Sequence, residues 1–143
     1  MVIPVYFGDR KVGPGEPCFI IAEAGVNHNG SVDMAIQLID AAVEAGADAV
    51  KFQTFDADRL ATADAPKAEY QIRTTGNEES QLEMLSRLQL SREDHDILKG
   101  HCVERGILFM SSPFDEESVE LLTELDVAVF KVPSGEIDNL PYL

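Results

Sequence analysis

The sequence predicts an α/β fold in which about four parallel strands form the first half of a (β/α)8 TIM barrel, after a short N-terminal hairpin. Apolar strand-like runs alternate with amphipathic helical segments, which requires parallel strands joined by crossover helices. Polar residues follow each of these runs, at the end where ligands bind in barrels and in open sheets. No glycine-rich dinucleotide motif follows the first strand, which disfavours an open sheet. The 143 residues fall well short of the roughly 250 of a full barrel.

The strands are predicted from apolar runs bounded by turn residues. The hairpin has Gly8-Asp9 as its turn. The four parallel strands are predicted, in chain order, at Phe19 to Glu23, Ala49 to Thr54, Ile107 to Ser111 and Ala128 to Val132. No linker or low-complexity segment divides the chain, so residues 1–143 are expected to form a single domain.

The helices are predicted from apolar periodicity and capping residues. Ser31 begins a helix that Gly46 ends, and Ser91 begins one that continues to about Arg105. Two shorter helices are predicted around residues 81–88 and 116–125. The stretch from Phe55 to Ser80 is polar and lacks periodicity, which is typical of a functional lid or a partly disordered loop.

The composition excludes several classes of partner. The net charge is −15, with 26 acidic and 11 basic residues, which argues against nucleic acids and anionic membrane surfaces. A few lysines inside a cleft could still attract an anionic small molecule. Cys18 and Cys102 have neither metal-ligand nor disulfide spacing, and the first ten residues do not resemble a signal peptide. We therefore expect a cytoplasmic chain with reduced thiols.

Two lysines interrupt predicted buried strands near their carboxyl ends. Lys51 lies within Ala49 to Thr54, and Lys131 lies within Ala128 to Val132. A lysine that faces the interior of a sheet or barrel is costly unless an anion meets it. Each lysine could simply form a structural ion pair with a carboxylate, but the repetition favours a binding site for an anionic small molecule.

Other polar residues follow the same strand ends. Glu23 could act as a general acid or base, could orient a hydroxylated substrate, or could simply pair with Lys51. His28, in the loop after Glu23, is more often a structural residue than a metal ligand in such a position. His95 and His101 are expected on the surface of their helix.

The tripeptide Ser134-Gly135-Glu136 follows Lys131 and combines a hydroxyl, exposed backbone N–H groups and a carboxylate. Gly135 permits a close approach to an oxyanion, so the segment could hold a phosphate or a carboxylate. The sequence Ser111-Ser112-Pro113-Phe114 could add hydroxyl groups, or could be only a strand-to-helix turn.

Four motifs in this order resemble the sialic acid synthase family, and the resemblance covers the chain from about Phe19 to its end. They are Ala22-Glu23-Ala24-Gly25-Val26-Asn27-His28-Asn29-Gly30, Lys51-Phe52-Gln53-Thr54, Ser112-Pro113-Phe114 and Lys131-Val132-Pro133-Ser134-Gly135-Glu136. The resemblance implies condensation of phosphoenolpyruvate with an N-acetylmannosamine-type sugar to a nine-carbon 2-keto acid. It also implies a barrel that is followed by an antifreeze-like domain. The barrel's second half and that domain are expected to lie outside this chain.

The resemblance also implies roles for individual residues. Lys51, Lys131 and Ser134 would bind phosphoenolpyruvate, and Gln53 would bind the sugar. Glu23 and Glu136 would be catalytic, flanking the reacting carbons. Asn27 and Tyr70 are further candidates for substrate binding, and Arg73 could join Tyr70 when the long loop closes. The family's divalent metal, manganese or magnesium, would have its histidine ligands on later strands, so no metal ligand is expected in this chain.

Two other functions remain open at this point. The chain could belong to another phosphoenolpyruvate–sugar synthase or to an aldolase that uses a lysine as a Schiff base. It could also be a truncated fragment without catalytic function. A homodimer is expected in either case, because four parallel strands leave two open edges. The isolated chain is expected to be inactive.

Overall fold

The computed structural model describes residues 3–61 and 80–143. An antiparallel hairpin, β1 (Val5–Phe7) and β2 (Arg10–Val12), precedes a parallel sheet of β3 (Ile21–Gly25), β4 (Ala49–Thr54) and β5 (Leu108–Pro113). The helices are α1 (Val32–Glu44), α2 (Ala57–Leu60), α3 (Gln81–Leu88), α4 (Arg92–Arg105) and α5 (Glu116–Glu124). One 3₁₀ turn covers Ser134–Glu136. No helix in these two ranges is long and apolar enough to cross a membrane.

The sheet has the order β3-β4-β5, and all of its strands are parallel. Lys51 is in register with Glu23 on one side and with Met110 on the other. Paired residues of parallel strands share a face, so these three side chains lie on one face of the sheet. Gln53 and Ser112, two residues further along, pair on that same face.

The opposite face of the sheet carries the core. Val50 and Phe52 alternate with Lys51 and lie against the helices, with Phe52 fully buried. The core is completed by buried residues of α1, α4 and α5, including Ile39, Leu98 and Leu122. One face of the sheet is therefore covered by helices and the other carries Lys51 and Gln53, as in the outer and inner faces of a barrel strand.

The predicted fourth strand, Ala128 to Val132, is reduced to a single parallel bridge between Ser111 and Phe130. The N–H of Lys131 donates to the carbonyl of Ser111 at 3.2 Å. In a parallel ladder the next bonds would need the N–H groups of residues 113 and 133. Both are proline and have no N–H, so the pairing ends there. The prediction of a strand was wrong in extent, although its place beside β5 was correct.

Most predicted helix ends are confirmed. Ser31 and Ser91 accept hydrogen bonds from backbone N–H groups of the first turns of α1 and α4, as expected for N-caps. Gly106 ends α4 at φ 70°, a left-handed conformation that favours glycine. The stretch that begins at Phe55 was predicted to be a loop, but it contains the short helix α2. Asp56 is the N-cap of this helix.

The hairpin lies at the amino end of the sheet, away from the polar strand ends. Arg10 forms an ion pair with Asp48, which also accepts a hydrogen bond from the N–H of Ile20 at 2.7 Å. Phe7 and Phe19 contact edge to face, with ring centroids 5.0 Å apart. The hairpin therefore does not cover the carboxyl end of the sheet.

Candidate active site at the carboxyl edge of the sheet

Glu23 and Lys51 form an ion pair between neighbouring strands. The Lys51 side chain is only 13% exposed, whereas that of Glu23 is 52% exposed. The ion pair between Glu23 and Lys51, which the sequence analysis left open as one alternative, is therefore present in the structure. Glu23 is thus the more solvent-exposed partner of the pair, and Lys51 is the more buried one.

Gln53 joins this pair through the turn at Gly25. Gly25 has φ 53°, and a Cβ atom there would lie 3.2 Å from a Glu23 carboxylate oxygen and 3.8 Å from the Gln53 amide nitrogen. A side chain at residue 25 would thus fill the space that these two polar groups face. The glycine keeps the strand end open on the face of the sheet that carries Lys51.

Lys131 lies across β5 from Lys51. Phe130 forms a single bridge with Ser111, and Lys131 lies one residue further along, level with the last residues of β5. Lys131 also lines a pocket with Val119 and Thr123 of α5. Two strand spacings separate the two backbones, about 10 Å. Lys131 is exposed and forms no ion pair with any residue that the structure describes. Lys51 and Lys131 thus lie on the two sides of β5, near the carboxyl edge of the sheet.

The segment after Lys131 turns back over the end of β5. Ser134 is exposed in the 3₁₀ turn, and Glu136 is half-buried. The Glu136 carboxylate accepts a hydrogen bond from the side-chain amide of Asn139 at 2.6 Å. The Tyr142 hydroxyl donates to the carbonyl of Pro113 at 2.6 Å. These contacts tie the segment with Ser134 and Glu136 to the edge at which β4 and β5 end.

The loop after β3 presents Asn27 at the surface and buries His28 completely. His28 Nδ1 accepts a hydrogen bond from the N–H of Gly30 at 3.0 Å. This confirms His28 as a structural residue. Burial lowers the pKa of His28, and the nearby His95 lowers it further.

His95 was expected at the surface and is instead buried, with 1% of its area exposed. Its Nε2 lies 2.8 Å from the Thr54 hydroxyl, which lies 2.7 Å from the Ser111 hydroxyl. The sequence did contain a signal for this burial, because His95 lies three residues before Leu98 and seven before Cys102. At that spacing the three side chains share the buried face of the helix. His101 is half-buried, not exposed, and its Nε2 lies 2.8 Å from an Asp40 carboxylate oxygen.

Two predicted contacts and the metal remain without structural support. Tyr70 and Arg73 lie outside the described residues. Within residues 3–61 and 80–143, no three or more His, Cys, Asp or Glu side chains are grouped to hold a metal ion. The resemblance places the ligands of the divalent metal on later strands, so this finding does not test the metal.

Comparison with known proteins identifies the family. The model of the NeuB family matches residues 38–143. The chain belongs to the NeuB family. It is 54% identical over 124 residues to an N,N'-diacetyllegionaminic acid synthase of Campylobacter jejuni, covering 87% of this chain and 37% of that protein. It is 52% identical over 136 residues to the protein of the same name in Legionella pneumophila, covering 95% of this chain and 38% of that protein.

A solved structure agrees with the fold. The N-acetylneuraminic acid synthetase of Leptospira borgpetersenii, in complex with citrate, matches 97% of this chain and 44% of its own chain, with a TM-score of 0.79 and 29% identity. The prediction of the first half of a barrel is thus confirmed. This NeuB-family chain spans less than half the length of the relatives that it matches.

Proposed function

We propose that this chain supplies the phosphoenolpyruvate-binding edge of a nonulosonic acid synthase. The enzyme would condense phosphoenolpyruvate with an N-acetylmannosamine-type sugar to give a sialic or legionaminic acid and phosphate. The single observation that best supports this is that Lys51 and Lys131 lie on the two sides of β5, near the carboxyl edge of the sheet. Membership in a family of sialic and legionaminic acid synthases supports the same reaction class.

Phosphoenolpyruvate carries a phosphate and a carboxylate, and both need cationic partners in a site that excludes water. Lys51 would meet one anionic group after Glu23 moves aside, since Glu23 is the more exposed partner of the ion pair. Lys131 and the Ser134 hydroxyl would meet the other. Gln53 and Asn27 would bind hydroxyl or amide groups of the sugar, and Tyr70 would contribute from the segment between α2 and α3.

The reaction balances without a redox partner. C3 of phosphoenolpyruvate attacks the aldehyde carbon of the open-chain sugar, which forms the new C–C bond, and the aldehyde oxygen takes up a proton. Water adds to C2, which carries positive charge at that stage. The resulting intermediate loses phosphate by C–O cleavage and becomes the 2-keto acid. Glu23 and Glu136 would stabilise the charge at C2 and take the proton of the attacking water.

A divalent metal, when bound, would polarise the aldehyde oxygen. The described residues do not supply its ligands. All the roles assigned above therefore concern side chains of this chain only.

Product analysis with the complete gene product tests this proposal. The protein would be incubated with manganese, with phosphoenolpyruvate that carries ¹⁸O in the bridging position, and with either N-acetylmannosamine or its 2,4-diacetamido-6-deoxy analogue. We expect a nine-carbon keto acid from at least one of the sugars, and ¹⁸O in the released phosphate. No keto acid from either sugar would refute the proposed reaction.

A Schiff-base aldolase is separated by trapping. Such an enzyme needs a lysine without its proton, whereas Lys51 forms an ion pair with Glu23. Borohydride in the presence of pyruvate should therefore leave both Lys51 and Lys131 unmodified. A mass increase at either lysine would favour the aldolase.

We also propose that the chain works in the cytoplasm and that the isolated 143-residue chain forms a homodimer without synthase activity. Large apolar side chains are exposed at both edges of the sheet: Ile20 and Ile21 at one, Phe130 and Val132 at the other. Exposed apolar edges favour association with a second copy. Sedimentation as a stable monomer, or keto acid formation by the isolated chain, would contradict these expectations.

A further inference from the structure

The loop after β3 is held by a histidine whose hydrogen bonding is incomplete. His28 is fully buried, and its Nδ1 accepts from the N–H of Gly30. A neutral imidazole that accepts at Nδ1 carries its proton on Nε2. His28 Nε2 is buried and has no hydrogen-bond partner among the residues that the structure describes. Leaving a buried donor unpaired is unfavourable, so the buried His28 ring lowers the stability of the fold.

The same loop is fixed from a second side by α3. Gly30 has φ 77°, and a Cβ atom there would lie 2.1 Å from the carbonyl oxygen of Arg87, in the last turn of α3. The loop therefore lies directly against the backbone of that helix. Asn27, the substrate-binding candidate, immediately precedes the buried His28 and shares its short turn.

His28 lies beside a second buried polar group. Its ring centroid is 6.1 Å from that of Phe52 in β4. His95 in α4 is near enough to lower the pKa of His28, in addition to the larger effect of burial. His95 Nδ1 lies 2.7 Å from the carbonyl oxygen of Ser91, to which it donates, so its Nε2 accepts from the Thr54 hydroxyl. The two rings thus use opposite tautomers behind the strand ends.

We propose that His28 is a positioning residue, whose neutral ring holds the 27–30 loop so that Asn27 meets the amino sugar. That the ligand of Asn27 is an amino sugar rests on the proposed function. That the His28 ring holds the loop does not depend on it. His28 does not touch substrate itself in this account. It acts through Asn27, by fixing the turn in which that side chain is presented.

Protonation would undo this arrangement. A protonated ring donates at both nitrogens and can no longer accept from Gly30. The groups around His28 are His95 and Asp94 from α4 and the apolar Phe52 from β4, while α3 meets the same loop at Gly30. Asp94 favours the cation, but its carboxylate already accepts from the N–H of Ser91 at 2.8 Å. Burial outweighs it, and the pKa of His28 is lowered.

The sign of the pH dependence follows from this shift. The folded-state pKa of each buried histidine lies below the ordinary value of 6.5. The contribution of each neutral ring to stability is therefore complete above that pH, and it declines as the pH falls toward the folded-state pKa. The hydrogen bond from Gly30 to His28, which holds the 27–30 loop, should weaken over the same range of pH.

Three variants of the complete gene product test the inference. His28→Leu removes the acceptor for Gly30, and His28→Asn keeps an acceptor, Oδ1, near the place of Nδ1 without a titrating group. His101→Asn is the matched control, because His101 pairs with Asp40 between α1 and α4. We expect His28→Leu to raise the KM for the amino sugar about 10-fold, with kcat changed less than about 2-fold.

His28→Asn should restore the KM to within about 2-fold of the parent and should reduce the rise in KM between about pH 7.5 and about pH 5.5. His101→Asn should change neither. An unchanged KM in a folded His28→Leu protein would overturn the inference, and so would an acid-side rise in KM that His28→Asn leaves intact.

Nitrogen NMR of the parent protein keeps the inference testable if a variant does not fold or if no turnover is found. At about pH 7.5 the ring shifts should show His28 protonated at Nε2 and His95 protonated at Nδ1. Exchange of the Gly30 amide should accelerate as the His28 ring titrates. A His28 ring protonated at Nδ1, or Gly30 exchange that ignores its titration, would overturn the inference. Failure to form keto acid from either sugar would instead overturn the proposed function.

Discussion

Lys51 and Lys131 have similar sequence surroundings and very different structural ones. Lys51 lies in the central strand β4, is 13% exposed and pairs with Glu23. Lys131 follows a single bridge at the edge of the sheet and is exposed. The central strand therefore fixes its lysine before any ligand binds, while the lysine at the edge is positioned mainly by its neighbours on the same segment. If both lysines bind phosphoenolpyruvate, as we propose, the fold holds the two parts of that site with different firmness.

The largest predicted difference between the two regions is in the stability lost when the phenylalanine next to each lysine is replaced by alanine. Phe52 is completely buried, whereas Phe130 is 39% exposed. We expect Phe52→Ala to lower the free energy of unfolding by about 3–5 kcal/mol and Phe130→Ala by about 1 kcal/mol. Urea denaturation of both variants measures this difference. Equal losses would show that the edge segment is packed as firmly as the central strand.

The next largest effect is expected at Glu136, on the edge segment. Glu136→Gln keeps the shape and removes the charge, so it should lower kcat about 100-fold and change KM little, because the charge acts mainly in the transition state. Steady-state kinetics of the complete gene product measures both constants. Asp138→Asn, two residues away and exposed, is the control. A nearly normal kcat with a raised KM would contradict the role of Glu136.

The smallest effect is expected from the ion pair in the central region. Glu23→Gln should change the free energy of unfolding by less than about 1 kcal/mol, because Glu23 is 52% exposed and exposed ion pairs contribute little. Thermal denaturation at neutral pH measures the change. A loss as large as that of Phe52→Ala would make the pair a structural requirement and would count against its rearrangement on substrate binding.

The regular part of the fold could be predicted from the sequence because its signals are local. Apolar runs identified β3, β4 and β5, and serine caps and terminal glycines identified α1 and α4. The fourth strand failed because its pairing depends on a neighbour that the run itself does not reveal. Pro113 on that neighbour and Pro133 beyond the bridge both lack the N–H that a longer ladder needs.

The candidate site was predictable only in its charged residues. A lysine in an apolar strand is conspicuous, and parallel register brings Glu23 beside it. The buried pair formed by Thr54 and His95 was missed because threonine and histidine are common on surfaces, and only the tertiary fold brings them together. The sequence also could not show that His28 Nε2 is buried without a hydrogen-bond partner among the described residues.

The central claim is that Lys51 and Lys131 belong to one site for phosphoenolpyruvate. Calorimetric titration of phosphoenolpyruvate into the complete gene product and its Lys51→Ala and Lys131→Ala variants tests it directly. Lys11→Ala is the control, because Lys11 pairs with Glu16 in the hairpin region at the other end of the sheet. We expect each site variant to bind about 10- to 100-fold more weakly and the control to bind normally, since each lysine supplies a charge-assisted contact. Unchanged affinity in both site variants would contradict the claim.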